Sequence, residues 1–145
     1  MHIEKILDVS NELFDAVNQL VPQLGRHKIA PAREELTLLV HSECSTLWIA
    51  RYPDETGSIA GILTLALYRV PTGLRSIVED VVVDQTLRRR GIAAALLRNA
   101  IAFARDAGAS GVALTSNPQR RAANLLYQSL GFEPRDTNSY FYKIK

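Results

Sequence analysis

Hydrophobic and polar positions change period several times along these 145 residues, and each change marks an element. Residues 3–9 alternate moderately, which predicts a first strand. Ser10 then stands as an N-cap before Leu13, Phe14, Val17, Leu20 and Val21 at helical spacing, so a helix is expected to about residue 23, closed by Gly25. Pro31 opens a second helix whose apolar stripe is Leu36, Leu39 and Val40. Three strands follow over residues 46–51, 59–70 and 75–83. The polar loops at 53–57 and 71–73 separate them, as in a meander.

The second half reads as strand–helix–strand. Residues 91–107 form a long helix with a broad apolar face through Ile92, Leu96, Ala100 and Phe103, the breadth expected of a helix pressed on a sheet. Gly108 stops it. Residues 111–115 form a buried-type strand, expected to lie parallel to the third meander strand because a helix connects the two. Asn117 caps a last helix that runs from Pro118 to Leu130. Phe132 and residues 140–144 supply the final strands. The fold class is therefore α/β (α+β), with a mixed, mostly antiparallel sheet and helices on both faces.

Composition adds bounds to this picture. Hydrophobic residues make up 47% and charged residues 22%, the balance of one ordinary globular domain over residues 1–145. Apolar stretches break well before the ~18 residues of a membrane span, and the first residues lack the apolar core of a signal peptide. The expectation is a cytoplasmic protein without a membrane partner. Cys44 is the only cysteine, so no disulfide forms within the chain. It has no base partner in view and reads as packing. His2, His27 and His41 lack metal-ligand spacing, so no metal is expected. A net charge of +2 is too small to argue for nucleic acid.

Local charge matters more than the total. The strand ending in Val81-Val82-Val83-Asp84 feeds Arg88-Arg89-Arg90-Gly91-Ile92-Ala93-Ala94 at the start of the long helix. Unpaired first-turn N–H groups and the helix dipole favour an anion there. Cations at a helix N-terminus oppose the dipole by about 0.3–1 kcal/mol each. Three arginines in that place therefore argue for a bound phosphate or pyrophosphate rather than a solvated helix start.

Arg88 to Ala93 fits Q/R-x-x-G-x-G/A, and Ala122 to Phe132 fits A-x-x-L-Y-x-x-L-G-F about thirty residues later. In order and spacing the pair resembles the GCN5-related N-acetyltransferases. The resemblance covers residues 47–145 well and the earlier residues by pattern only. It implies the GNAT fold and acetyl-CoA as co-substrate. It places pyrophosphate on the backbone of residues 88–94, with Arg88 as the side-chain contact and Arg89 and Arg90 beside it. It also implies that N–H and C=O groups of Val81, Val82 and Val83 pair with the acyl group and pantetheine arm, and that Asn117 and Asn124 lie along that arm.

Tyr127 sits roughly 120° from the apolar stripe formed by Ala122, Leu125, Leu126 and Leu130, so it is not an obvious core filler. The family places a tyrosine here beside the thioester sulfur, where it protonates the departing thiolate. A phenol, with an ordinary pKa of ~10, holds that proton at neutral pH. Glu79 and Asp80 are adjacent acids in a β-run and point to opposite faces. Glu79 shares face parity with Val81 and Val83 and is the first candidate base for the acceptor amine, with Asp80 second; the competing reading for either acid is an ion pair.

The expected activity is acetyl transfer to a primary amine of a small molecule by direct attack in a ternary complex. Three alternatives stay open: a protein, peptide or tRNA acceptor; a non-catalytic CoA-binding regulatory domain; and nucleic-acid binding through the arginines. The resemblance assigns acceptor choice to residues 11–31 and 136–140, where Asn18, Arg26, His27 and Tyr140 stand, with Arg33 and Tyr68 nearby. None dictates a substrate. A homodimer is common for this fold.

Overall fold

Strands β1 (His2–Lys5), β2 (Ser45–Tyr52), β3 (Ser58–Val70) and β4 (Gly73–Val83) form an antiparallel meander in that spatial order. β5 (Val112–Ala113) pairs with β4 in parallel, Ser76 opposite Val112 and Ile77 opposite Ala113. A parallel pair needs a crossover, and α3 (Ile92–Asp106) supplies it. The computed structural model describes all 145 residues. They fall into two compact units, Met1–Leu114 and Thr115–Lys145. No helix is long and apolar enough to cross a membrane.

Alternation along β2 assigns the two faces of the sheet. Leu47 and Ile49 are buried with Leu13, Val17 and Leu20 of α1 (Asn11–Leu20) and with Leu36 and Val40 of α2 (Arg33–Val40). Trp48 points the other way, and its ring meets Phe103 of α3 edge-on at 5.2 Å. Its indole N–H donates to Thr46 Oγ1 at 2.9 Å, and the Thr46 hydroxyl donates to the Leu65 carbonyl, so burial leaves neither group unpaired. Helices thus cover both faces of the expected mixed sheet.

Gly61 on β3 explains how closely α3 sits. A Cβ there would lie 3.1 Å from the Val82 carbonyl oxygen and 3.3 Å from both Ile92 Cγ2 and Leu96 Cδ1. The missing side chain lets the first turns of α3 pack directly on the strand, beside the end of β4.

Several boundaries differ from the sequence reading. β1 covers four residues. The first helix tightens to a 3₁₀ turn at Val21–Leu24, where Pro22 supplies no N–H for an α-type bond. β5 is two residues rather than five. The largest correction is at the C-terminus: Phe132 and residues 140–144 form no strand. Tyr140, Phe141, Tyr142 and Ile144 are exposed, because an alternating pattern without a ladder partner does not hold as a strand.

Arg51 ties β2 to two other elements. Its guanidinium donates to both carboxylate oxygens of Glu12 at 2.7 and 3.0 Å, to Glu4 at 3.1 Å and to the Gly57 carbonyl at 3.1 Å. The hydrogen bonds from Arg51 hold the Glu12 carboxyl below its ordinary value of 4.5. A depressed folded-state pKa contributes stability above the unfolded value, and that contribution is lost as pH falls through the folded one. Arg51→Met is therefore expected to lower stability by roughly 1–2 kcal/mol at pH 7, discounted for the half-exposed Glu12 side chain. The gap in melting temperature between wild type and variant should narrow below pH 4.5, and a gap that is constant with pH would refute the pairing.

Candidate active site

The register of β3 and β4 breaks at the middle of the candidate site. Ile62 opposes Val82 and Thr64 opposes Glu79, so Asp80 and Val81 together face one residue of β3. This is a β-bulge, and Asp80 adopts φ 50° to make it. The bulge overturns the parity argument for Glu79. Glu79 shares its face with Thr64, Ile62 and Val82, on the α1/α2 side, whereas Val83 opposes Gly61 on the α3 side. A single inserted residue flips every later side chain, which no alternation count can foresee.

Parallel pairing of β4 with β5 ends at Ile77. From Val78 to Val83 no backbone hydrogen bond closes that edge of β4. Backbone groups alternate between the two edges of a strand. The Asp84 N–H bonds the Ala60 carbonyl of β3, so the groups of Val82, opposite Ile62, turn to β3, against the sequence expectation, and those of Val83 turn to the unclosed edge. The side chains of Val81, Val82 and Val83 are partly buried or buried, as expected of core residues.

The start of α3 leaves its first N–H groups free. Gly91 occupies the N-cap at φ 78°, and no side chain caps the 15-residue helix. The first intrahelical bond runs from the Ala95 N–H to the Gly91 carbonyl, so the N–H groups of Ile92, Ala93 and Ala94 lack partners in the helix. A Cβ at Gly91 would meet nothing within 4 Å, so its role is conformational: the left-handed backbone costs an L-residue about 1–2 kcal/mol. Arg89 carries that cost at φ 64°. Asp80 and Arg89 are the two non-glycine residues of the chain at positive φ, and both fall at this end of the sheet. Arg88 and Arg89 join no ion pair. Arg90 lies 5.6 Å over the Tyr52 ring and donates to its hydroxyl at 3.4 Å, which separates it from the other two.

The second unit is described by α4 (Arg121–Ser129) and its flanks. Asn117 does not cap it. Its Oδ1 accepts the Gln119 N–H at 2.9 Å in an Asx turn, and the helix starts four residues later with Arg120 at the N-cap. Asn124 donates through Nδ2 to the carbonyls of Asn117 and Arg120, bracing that turn; its Oδ1 makes no bond within the chain. The Tyr127 side chain also departs from the sequence reading. It is 8% exposed, while Ala122 is exposed and Leu125 is 68% exposed, so the buried face of α4 runs through Tyr127 and not through the Ala122–Leu125 stripe. Phe132 packs on its ring edge-on at 6.0 Å. The Tyr127 hydroxyl makes no hydrogen bond within the chain and is not among the sealed polar atoms.

A cleft of about 340 Å³ opens between α1, α2 and the sheet. Its polar lining groups are Glu35, Thr64 and Asp80. The polar residues singled out in the sequence, Asn18, Arg26, His27 and Arg33, do not line it. Arg33 instead stacks on Phe14 at 4.7 Å and donates to Asn11. Glu35 has no signal in the sequence beyond that of an ordinary first-turn helix acid; of the two adjacent acids, it is Asp80 and not Glu79 that lines the cleft, next to the bulge. A hollow of the same size by Met1, His2 and Asp54–Thr56 holds no candidate residue. No cluster of three metal-ligating side chains is present.

Residues 11–132 match the family model for the acetyltransferase (GNAT) family. The chain is 33% identical over 103 residues to N-acetyltransferase family 8 member 3 of Rattus norvegicus, covering 70% of this chain and 43% of that protein. It is 35% identical over 114 residues to human N-acetyltransferase 8B, covering 74% of this chain and 47% of that protein. The chain thus spans less than half the length of these curated relatives. In structure it resembles an aminoglycoside acetyltransferase, meta-AAC0020, from an uncultured soil metagenomic sample. That likeness has a TM-score of 0.85 at 19% identity and covers 99% of this chain and 96% of that one. At that identity it supports the GNAT fold.

Proposed function

This chain belongs to the acetyltransferase (GNAT) family, and on that premise we propose that it transfers an acetyl group from acetyl-CoA to the primary amine of a small molecule by direct attack in a ternary complex. The observation that carries the reading is the uncapped start of α3 beside the open edge of β4, with Arg88 and Arg89 unpaired next to it. We read the two units as parts of one catalytic domain, because the family match runs from residue 11 to 132 across the boundary after Leu114. We also read the enzyme as cytoplasmic, from its single cysteine.

Each candidate residue has a part in that reaction. The N–H groups of residues 92–94 and the Arg88 guanidinium bind pyrophosphate. Arg89 and Arg90 add positive potential, and Asn117 and Asn124 flank the pantetheine arm. Backbone groups of Val81 and Val83 orient that arm and stabilise charge on the acyl oxygen, while Val82 holds the strand to β3. Glu79 accepts the proton of the attacking ammonium, since an amine attacks only when neutral. Tyr127 holds a proton at Oη for the leaving sulfur. Bound acetyl-CoA supplies the thioester acyl group, and no covalent enzyme intermediate is needed.

The test is release of CoA thiol from acetyl-CoA with a panel of amines, alongside the melting temperature with and without acetyl-CoA. Acetyl-CoA should raise the melting temperature, and at least one amine should drive release. Neither effect at saturating acetyl-CoA would overturn the reading. Arg88→Glu should raise the KM for acetyl-CoA roughly 10- to 100-fold, the worth of one charged hydrogen bond, with kcat within a few-fold because the phosphate is remote from the reacting atoms.

A further inference from the structure

The cleft between α1, α2 and the sheet is chemically lopsided. Its floor is the buried Val17, Leu36, Leu47 and Ile62 of the core, and its more open apolar walls are Val21, Ile29, Pro31 and Leu39. Its ionisable groups are two carboxylates, Glu35 and Asp80, and no lysine or arginine lines it. Asp80 takes part in none of the ion pairs of the chain. It is held at positive φ by the bulge that turns it to the cleft. Glu35 accepts the Ala32 N–H through Oε1 at 3.4 Å, which leaves Oε2 without a partner.

We infer that the acceptor is a primary monoamine on an apolar carbon skeleton, its ammonium held by Asp80 and Glu35 and its skeleton against the α1/α2 walls. This rests on the acetyltransferase reading above. Two unpaired carboxylates complement one ammonium and repel an acceptor carrying its own carboxylate near the amine. A polycation would bring further charged groups against aliphatic walls, where each loses hydration without a partner. A skeleton of alkyl or aryl carbon matches those walls, and about 340 Å³ lies at the small end of the ~300–1,000 Å³ range of small-molecule pockets. The polar residues of α1 and its loop that would hydrogen-bond a sugar-like acceptor lie outside the lining.

A homologous series tests this directly. kcat/KM for n-butylamine, n-hexylamine and n-octylamine should rise about fourfold per methylene until the cleft is full, the fold-change equivalent of burying one CH₂. Phenethylamine should exceed spermidine and kanamycin by about tenfold or more. Asp80→Asn tolerates the same backbone and should raise the amine KM with the acetyl-CoA KM unchanged, whereas Glu79→Gln should lower kcat. Leu39→Ser should flatten the chain-length dependence without altering the acetyl-CoA melting shift. A flat or falling series, a preference for kanamycin, spermidine or lysine peptides, or no release with any amine would overturn the inference while a retained acetyl-CoA melting shift keeps the CoA-binding part of the function. Loss of the melting shift in the wild type would overturn both.

Discussion

Tyr127→Phe is expected to lower kcat by about 10²-fold or more while leaving the melting temperature nearly unchanged. The two halves of that result come from different parts of the side chain. The ring is buried and packs edge-on against Phe132, and phenylalanine keeps it. The hydroxyl makes no hydrogen bond within the chain, so its removal strands no partner. A tyrosine kept only for packing would show neither a kinetic nor a thermal effect. A residue that protonates the leaving sulfur would show the kinetic effect alone, with the KM for acetyl-CoA little changed. Activity within threefold of wild type would remove Tyr127 from the mechanism and assign the proton to water. Loss of both stability and activity would mean that the hydroxyl is structural.

Leu96→Ala is expected to cost about 2–5 kcal/mol and, near the middle of that range, roughly 10 °C in melting temperature. Leu96 is fully buried on α3, and its Cδ1 lies against Gly61 of β3, where the absent Cβ lets helix and strand meet. The cavity left by truncation cannot be filled from the strand side, because no side chain stands there. The same contact fixes the first turns of α3, and hence the unpaired N–H groups of residues 92–94, beside the end of β4. Stability and cofactor affinity should therefore fall together. Acetyl-CoA at 100 times its dissociation constant should restore about 2.7 kcal/mol by mass action. An unchanged melting temperature would contradict the seating of α3 described here.

The sequence by itself determined what depends on neighbours in the chain. The start of α3 was legible because a helix N-terminus is a local feature: Arg88, Gly91 and Ala93 lie within six residues, and the helix begins there. Helix and strand types followed from apolar period, and the parallel pairing of β4 and β5 from the helix between them. The two-motif spacing of residues 88–93 and 122–132 carried the family, which the match over residues 11–132 bears out.

Only the tertiary structure decided the rest. The buried face of α4 runs through Tyr127, since what lies next to a helix, and not its most apolar stripe, sets the side that is covered. Residues 140–144 have a strand pattern and no strand, because a ladder needs a partner. Asp80 and Glu35, 45 positions apart in sequence, line one cleft because a bulge re-aims one strand residue and α2 packs over the same face. Local pattern sets which conformations each segment favours; long-range packing sets which side chains share a space, as it does for Asp80 and Glu35.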